Sequence, residues 1–404
     1  MESKINFLDL NLVDADSELL DASQSVWDNV PRVNYKNLDP NKITYLPIFI
    51  RTPFTVDAIW KKIPNDIYLL MQQSKIRPLI SMVTEQWDLF NTYAWKKNKF
   101  NITPDFADIP YSKLIKNFTL RGIAEENITW LVPHVFNEAV QIRSLQQKGY
   151  SIKCKFVGFD FFMHQIAGHT KNYDTANKKF DKAFACLCQS KRIAHHRLAM
   201  IYELQRRNLL DKGMVSCTHY ENVVESKKSN WVDDAIDTDT YMNQFTNFSK
   251  NKKHFESLLP INFDNKINTH FDKTFDETHI FDKSFLWISN ETKKEHSGIF
   301  ITEKTYKAIA YGNPFVINGD NGSIKYLQMQ GFKTFDKWWS EDYDLQKDQI
   351  KINLIADIVG KISTKSKEEL QKMYQEMKPI LDHNRKWLQN FDGLGKIKKV
   401  LSND

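Results

Sequence analysis

The stretch Phe300-Ile301-Thr302-Glu303-Lys304-Thr305-Tyr306-Lys307-Ala308-Ile309-Ala310-Tyr311-Gly312-Asn313-Pro314-Phe315-Val316-Ile317-Asn318-Gly319 decides the fold class. Thr302 is a good N-cap residue ahead of a helix-forming run, so the spacing predicts a helix over residues 303–311. Gly312 can take the left-handed conformation that ends a helix, and Pro314 cannot continue one. Residues 315–317 then form a short apolar strand, and residues 285–288 read as the strand before the helix. Strand, helix and strand in this order make a parallel β-α-β unit, because a parallel pairing needs a crossover connection.

The same rhythm extends outward. Apolar runs of strand length occur at 43–49, 77–83, 128–132, 152–156 and 183–188. Helical spacing runs through Ile59, Ile67 and Leu70 over 56–74, and through Leu198, Ile201 and Tyr202 over 194–210. Residues 218–280 are rich in Asn, Asp, Lys and Phe with weak periodicity and read as insertions and loops. Ser366 and Glu369 form a capping box, behind which Leu370, Met373, Met377 and Leu381 line one face of a helix that Pro379 should kink. The expected fold is α/β, with mostly parallel sheets covered on both faces. A length of 404 residues exceeds what one core usually serves. Two Rossmann-type domains are therefore expected, facing an interdomain cleft: 1–175, 176–365, and a helical segment 366–404 crossing back.

Composition excludes several classes. Hydrophobic residues make up 41% and charged residues 26%, with 27 Phe, 15 Tyr and 10 Trp, which is incompatible with global disorder. The first twenty residues carry Asp9, Asp14, Asp16 and Glu18, with no basic start and no long apolar run. No segment approaches the ~20 apolar residues of a membrane helix. No membrane insertion is expected, and the expected compartment is the cytoplasm, that of the host if the protein is viral. Cys154, Cys186, Cys188 and Cys217 read as reduced core thiols, and no metal site is expected among them. A net charge of +6 suits a polyanionic acceptor or a phosphorylated donor, although the richness in Lys, Asn and Ile weakens that point.

Residues 302–304 carry the chemistry. A capped helix start turns its first amides outward as an anion site, and a diphosphate would fit there. Lys304 places a cation where the helix dipole disfavours it, a conflict that a phosphate would relieve. Glu303 offers two acceptor oxygens for the paired hydroxyls of a ribose. The alternative is an ordinary capped surface helix.

Residues 302–319, continued by Ser323-Ile324-Lys325-Tyr326-Leu327 and Gly331-Phe332-Lys333-Thr334-Phe335, resemble the C-terminal signature of fucosyltransferase-like and exostosin-like glycosyltransferases of the GT-B fold. Phage-encoded members of that group look closest. The resemblance is specific over roughly 285–336, weaker over 183–216 and barely present before that. It implies that Glu303 holds the ribose and Lys304 the phosphates of a UDP- or GDP-linked sugar. It further implies a basic turn between the first strand and helix of the donor domain, matched here by Gln189-Ser190-Lys191-Arg192-Ile193-Ala194-His195-His196-Arg197. Arg192 and Arg197 are the candidates for neutralising the departing phosphate, and Ser190 and Asn318 complete the donor-binding set with Thr302. A surface charge cluster is the alternative reading of that turn. No cofactor is expected to be required, and the transfer is expected to be metal-independent and inverting. Asp14-Ala15-Asp16, Asp237-Thr238-Asp239 and Asp342-Tyr343-Asp344 have the spacing of a metal-binding pair, but none follows a convincing apolar run.

An inverting transfer needs a general base. Glu85, His134 and Asp160 each follow a strand at the correct end of the sheet, and any one could serve. Trp87, Tyr93, Trp95 and the run Lys96-Lys97-Asn98-Lys99 combine aromatic and basic groups, suited to an extruded base with flanking phosphates or to a sugar platform. The favoured acceptor is a hydroxymethylated pyrimidine in double-stranded phage DNA. A surface glycan or lipopolysaccharide is the second reading, and a non-catalytic nucleic-acid-binding protein of the same fold is the third.

Overall fold

The apolar runs pair into two separate sheets, each with every strand parallel to its neighbours. The structure is a computed structural model that describes residues 5–8, 32–49, 63–81, 110–167, 173–188, 194–220, 238–262, 278–291 and 298–402. The chain divides into two compact units, Met1–Gln165 with Phe391–Asp404, and Ile166–Asn390.

The first unit holds β1 (Ile5–Leu8), β2 (Arg32–Val33), β3 (Ile43–Phe49), β4 (Ile76–Ser81), β5 (Thr129–Pro133) and β6 (Lys155–Phe159), in the order β2-β1-β3-β4-β5-β6. Its helices are α1 (Asn65–Gln72), α2 (Pro110–Thr119) and α3 (Val135–Gln147), with α4 (Phe161–Ala167) leading out of the unit. Side chains alternate across a strand, so a sheet covered on both sides needs two cores. Leu46, Ile48, Ile80, Trp130, Val132 and Phe156 belong to one cluster, and Tyr45, Leu79, Leu131, Val157 and Phe159 to the other. Trp130 is fully buried and stacks on Phe156 with ring centroids 6.1 Å apart. Trp130→Ala is expected to cost about 3–5 kcal/mol, read from urea unfolding. A loss below ~1 kcal/mol would contradict this packing.

The second unit holds β7 (Lys182–Cys188), α5 (His195–Arg206), β8 (Gly213–Cys217), α6 (Thr238–Met242), α7 (Phe248–Ser257), α8 (Thr278–Lys283) and β9 (Ser284–Asn290). It continues through α9 (Glu303–Ala310), β10 (Phe315–Asn318), α10 (Ser323–Met329), α11 (Asp348–Ser363) and α12 (Lys367–Gln389), with strand order β10-β9-β7-β8. Every residue of β8 and β9 is buried, as parallel strands under helices must be. The capping box at Ser366 and Glu369 is present, and α12 runs on as one helix past Pro379. Beyond it, α13 (Gly393–Leu401) belongs to the first unit, where Ile397 and Leu401 join the second cluster. The Lys155 ammonium donates to the Val400 carbonyl at 3.1 Å near the end of that helix, a favourable place for a cation.

Several expectations need correction. The stretch 218–280 is not all loop where described, since it contains α6, α7 and the start of α8. In α7 the burial is carried by Phe248 and Phe255 alone, both packed edge-on against Tyr202, so seven residues separate the two apolar anchors and the period is faint. The strand expected at 152–156 lies at Lys155–Phe159, because the pairing with β5 carries through Gly158. β8 and α11 were not anticipated. Among the described residues, no helix is long and apolar enough to cross a membrane.

Lys178 is buried and donates to the Phe281 carbonyl at 2.8 Å and to Asn313 Oδ1. Two acceptors match the two N–H groups of a neutral amine. Burial pushes its pKa down to about 7, with Asp282 opposing and Arg385 reinforcing. The unfolded chain holds that proton up to ~10.4, so it binds more protons than the native state between about pH 7 and that value. Stability therefore rises with pH across this window, and the full cost of burying the charge applies below it. Lys178→Met is expected to flatten the rise in thermal melts between pH 7 and 10. An unchanged slope would refute the assignment.

Candidate functional site at the carboxyl edge of the second sheet

The chain leaves β7 toward β8 on one side and reaches β10 from β9 on the other, so β7 and β9 flank a topological switch point. Ligands of open parallel sheets bind outside the strand carboxyl ends at such points. Here those ends carry Cys188, Cys217, Asn290 and Asn318, which are register partners in pairs. Asn290 Nδ2 donates to Cys186 Sγ at 3.1 Å and to Cys188 Sγ at 3.2 Å. Asn318 Nδ2 donates to Asn290 Oδ1 at 2.8 Å and to the His196 carbonyl at 3.1 Å. Asn318 is thus fully buried in the wall of the site, and its Oδ1 has no hydrogen-bond partner among the described residues.

Arg197, in the first turn of α5, is 5% exposed. Its Nε donates to the Glu291 carbonyl at 3.0 Å, an oxygen that His196 Nε2 also meets at 3.0 Å. Arg197 Nη2 is buried with no hydrogen-bond partner among the described residues. A buried, unsatisfied guanidinium nitrogen is costly unless something negative completes it. The Cys186 hydrogen bond holds the Cys188 thiol below its ordinary pKa; burial opposes this, while the charges of Arg197 and Lys304 and the Asn290 amide assist. Both cations therefore act at the end of β7.

The start of α9 differs from expectation in one respect. Thr302 caps the helix as read, its Oγ1 accepting from the Lys304 amide at 3.5 Å, but it is 1% exposed. The Glu291 carboxylate accepts from the Thr302 amide at 3.1 Å, from Thr302 Oγ1 at 2.5 Å and from Thr305 Oγ1 at 2.6 Å. An internal carboxylate thus holds the cap residue of α9, beside the first-turn amides that the sequence reading offers to a diphosphate, and the amide end of a helix favours such an anion. What the helix leaves partly exposed is Glu303 and Lys304, with Lys304 Nζ 2.6 Å from Glu303 Oε1 and 3.2 Å from Thr302 Oγ1. Burial raises the Glu303 pKa, but the Lys304 charge and hydrogen bond, its own backbone amide and Lys307 outweigh that and hold it at about 2.

In the first unit, His134 and Asp160 follow the neighbouring strands β5 and β6 and meet: His134 Nδ1 lies 2.6 Å from Asp160 Oδ1, and both are buried. A neutral imidazole with its proton on Nδ1 presents Nε2 as the acceptor nitrogen. His134 also has a backbone φ of 63° and ψ of 142°, a conformation that L side chains rarely adopt. Such strain persists only where the surroundings enforce it. His134→Gly is therefore expected to unfold about 1–2 kcal/mol less readily than His134→Ala, a difference read from paired denaturant melts. Equal stability would remove the strain argument.

Of the residues singled out from sequence, Thr302, Glu303, Lys304, Arg197 and Asn318 lie in the second unit, and the charges of Arg197 and Lys304 both favour the ionised Cys188 thiol at the end of β7. Glu85, Ser190 and Arg192, and the segment 87–99, lie outside the described residues. Asn290, Glu291 and His196 were missed. A carboxylate directly after an apolar strand is the available signal for Glu291, but the apolar run reads only to Ile288, two residues short of the end of β9. Among the described residues, no three His, Cys, Asp or Glu side chains are grouped to hold a metal ion.

The fold defines an α/β protein with two parallel sheets, compatible with a two-domain Rossmann-like architecture. No family model, curated protein or solved structure matches the chain.

Proposed function

We propose that the chain is a glycosyltransferase that holds a nucleoside-diphosphate sugar at the carboxyl edge of the second sheet and passes the sugar to a hydroxyl acceptor. The observation that carries this reading is Arg197, a buried guanidinium at a topological switch point whose Nη2 has no hydrogen-bond partner among the described residues. The resemblance of residues 285–336 to glycosyltransferases turns an anion site into a donor site. In this reading the acceptor oxygen attacks the anomeric carbon while its bond to the diphosphate breaks. Arg197 and Lys304 offset the charge that accumulates on the departing phosphate. Ionised Glu303 accepts from the ribose hydroxyls. The acceptor proton needs a general base, and His134, whose Nδ1 meets Asp160, is the first of the sequence candidates to test for that role.

The test is binding of UDP, GDP and their sugars, with Glu303→Ala and Lys304→Ala each expected to weaken affinity about 10-fold or more, the loss of one charged hydrogen bond. Binding that neither substitution weakens would contradict the assignment. The proposed acceptor is a hydroxymethylated pyrimidine in DNA. Nucleoside mass after incubation of such DNA with sugar donors should rise by one glycosyl unit, and no rise with any donor would remove DNA.

A further inference from the structure

We infer that Glu291 is a positioning residue of the donor site, fixing the start of α9 and the side chain of Arg197 in one frame. The inference rests on the donor reading above.

Glu291 is fully buried and directly follows β9, and its two polar ends face different elements. Its carboxylate accepts three hydrogen bonds from residues 302 and 305. Its carbonyl receives His196 Nε2 and Arg197 Nε, and its amide donates to the Asn318 carbonyl at 3.0 Å. One residue thus links α9, α5 and the end of β10. Gly319 leaves the space for it: a Cβ there would lie 3.0 Å from the Glu291 Cβ and 3.1 Å from its Cγ.

The two halves have separate consequences. The backbone contacts with His196 and Arg197 survive any substitution that keeps the chain path, whereas the carboxylate contacts do not. Removing the carboxylate therefore frees Thr302 and Thr305, and with them the orientation of Glu303 and Lys304, while Arg197 keeps its anchor. Both groups carry proposed donor contacts, so losing the two together weakens binding by about 10²-fold, about 10-fold for each charged hydrogen bond. Gln at 291 preserves the shape and can still accept from Thr302, with Thr305 Oγ1 turning to accept from the amide.

The experiment measures UDP and GDP affinity by titration calorimetry on the full chain, wild type against Glu291→Gln, Glu291→Ala and Thr305→Val, together with amide exchange over residues 302–306. Expected are affinity within a few-fold of wild type for Glu291→Gln, about 10²-fold weaker for Glu291→Ala, and accelerated exchange at 302–306 in Glu291→Ala alone. Full affinity in folded Glu291→Ala overturns the inference. Should Glu291→Ala not fold, Thr305→Val decides: about 3- to 10-fold weaker binding supports it, the worth of one hydrogen bond, and unchanged binding overturns it. Should the wild type bind neither nucleotide, the donor reading itself falls. The positioning role falls with it, whereas weakened binding confined to the variants leaves the donor reading standing.

Discussion

His134→Gln is expected to lower kcat by about 10²–10⁴-fold, the range typical for loss of a positioned general base, while leaving donor affinity within a few-fold of wild type. The proposed donor residues Arg197, Glu303 and Lys304 belong to the second unit and His134 to the first, so a loss of kcat without a matching loss of affinity is the expected pattern. Gln keeps a polar side chain of similar reach but has no nitrogen able to take a proton near neutrality. Asp160→Asn should also lower kcat, because an amide in place of the carboxylate no longer selects the tautomer with its proton on Nδ1. Turnover retained in both variants would exclude His134 as the base. Glu85, which also follows a strand, would then be the next to replace.

Arg197→Met is expected to weaken UDP or GDP binding by about 10²-fold or more, equivalent to ~3 kcal/mol or more, while leaving thermal stability equal or higher. The two signs come from one fact. A buried cation costs desolvation energy that folding must absorb, and burial alone pushes its pKa down. Met fills a similar volume without that cost, and the Glu291 carbonyl keeps its contact with His196 when the Arg197 donor is lost. A costly charge whose Nη2 is unsatisfied among the described residues is the pattern of a group kept for a ligand. Calorimetry and melting of the same preparations read both effects. A variant that melts far lower yet binds nucleotide normally would make Arg197 a structural residue.

Several strands of both units were legible in the sequence because parallel strands under helices appear as apolar runs. Residues 43–49, 183–188 and 315–317 fell within a residue of the observed strands for that reason. β8 escaped because Gly213 and Ser216 break the run, although both are buried. The capped start of α9 was readable from Thr302, but the carboxylate that holds Thr302 was not. Glu291 reaches Thr302 across eleven positions, a contact that local spacing does not encode. The pairing of His134 with Asp160 is likewise a product of adjacent strands, and the sequence offered the two only as separate candidates. His134 gave no sign of its positive φ, since the tertiary setting imposes that conformation and propensity does not.

Hydrogen exchange with and without saturating UDP or GDP tests the central claim most directly. The account predicts slowed exchange confined to the carboxyl edge of the second sheet, over residues 194–198, 288–291 and 302–306. Protection absent with both nucleotides, or found only in the first unit, would contradict it.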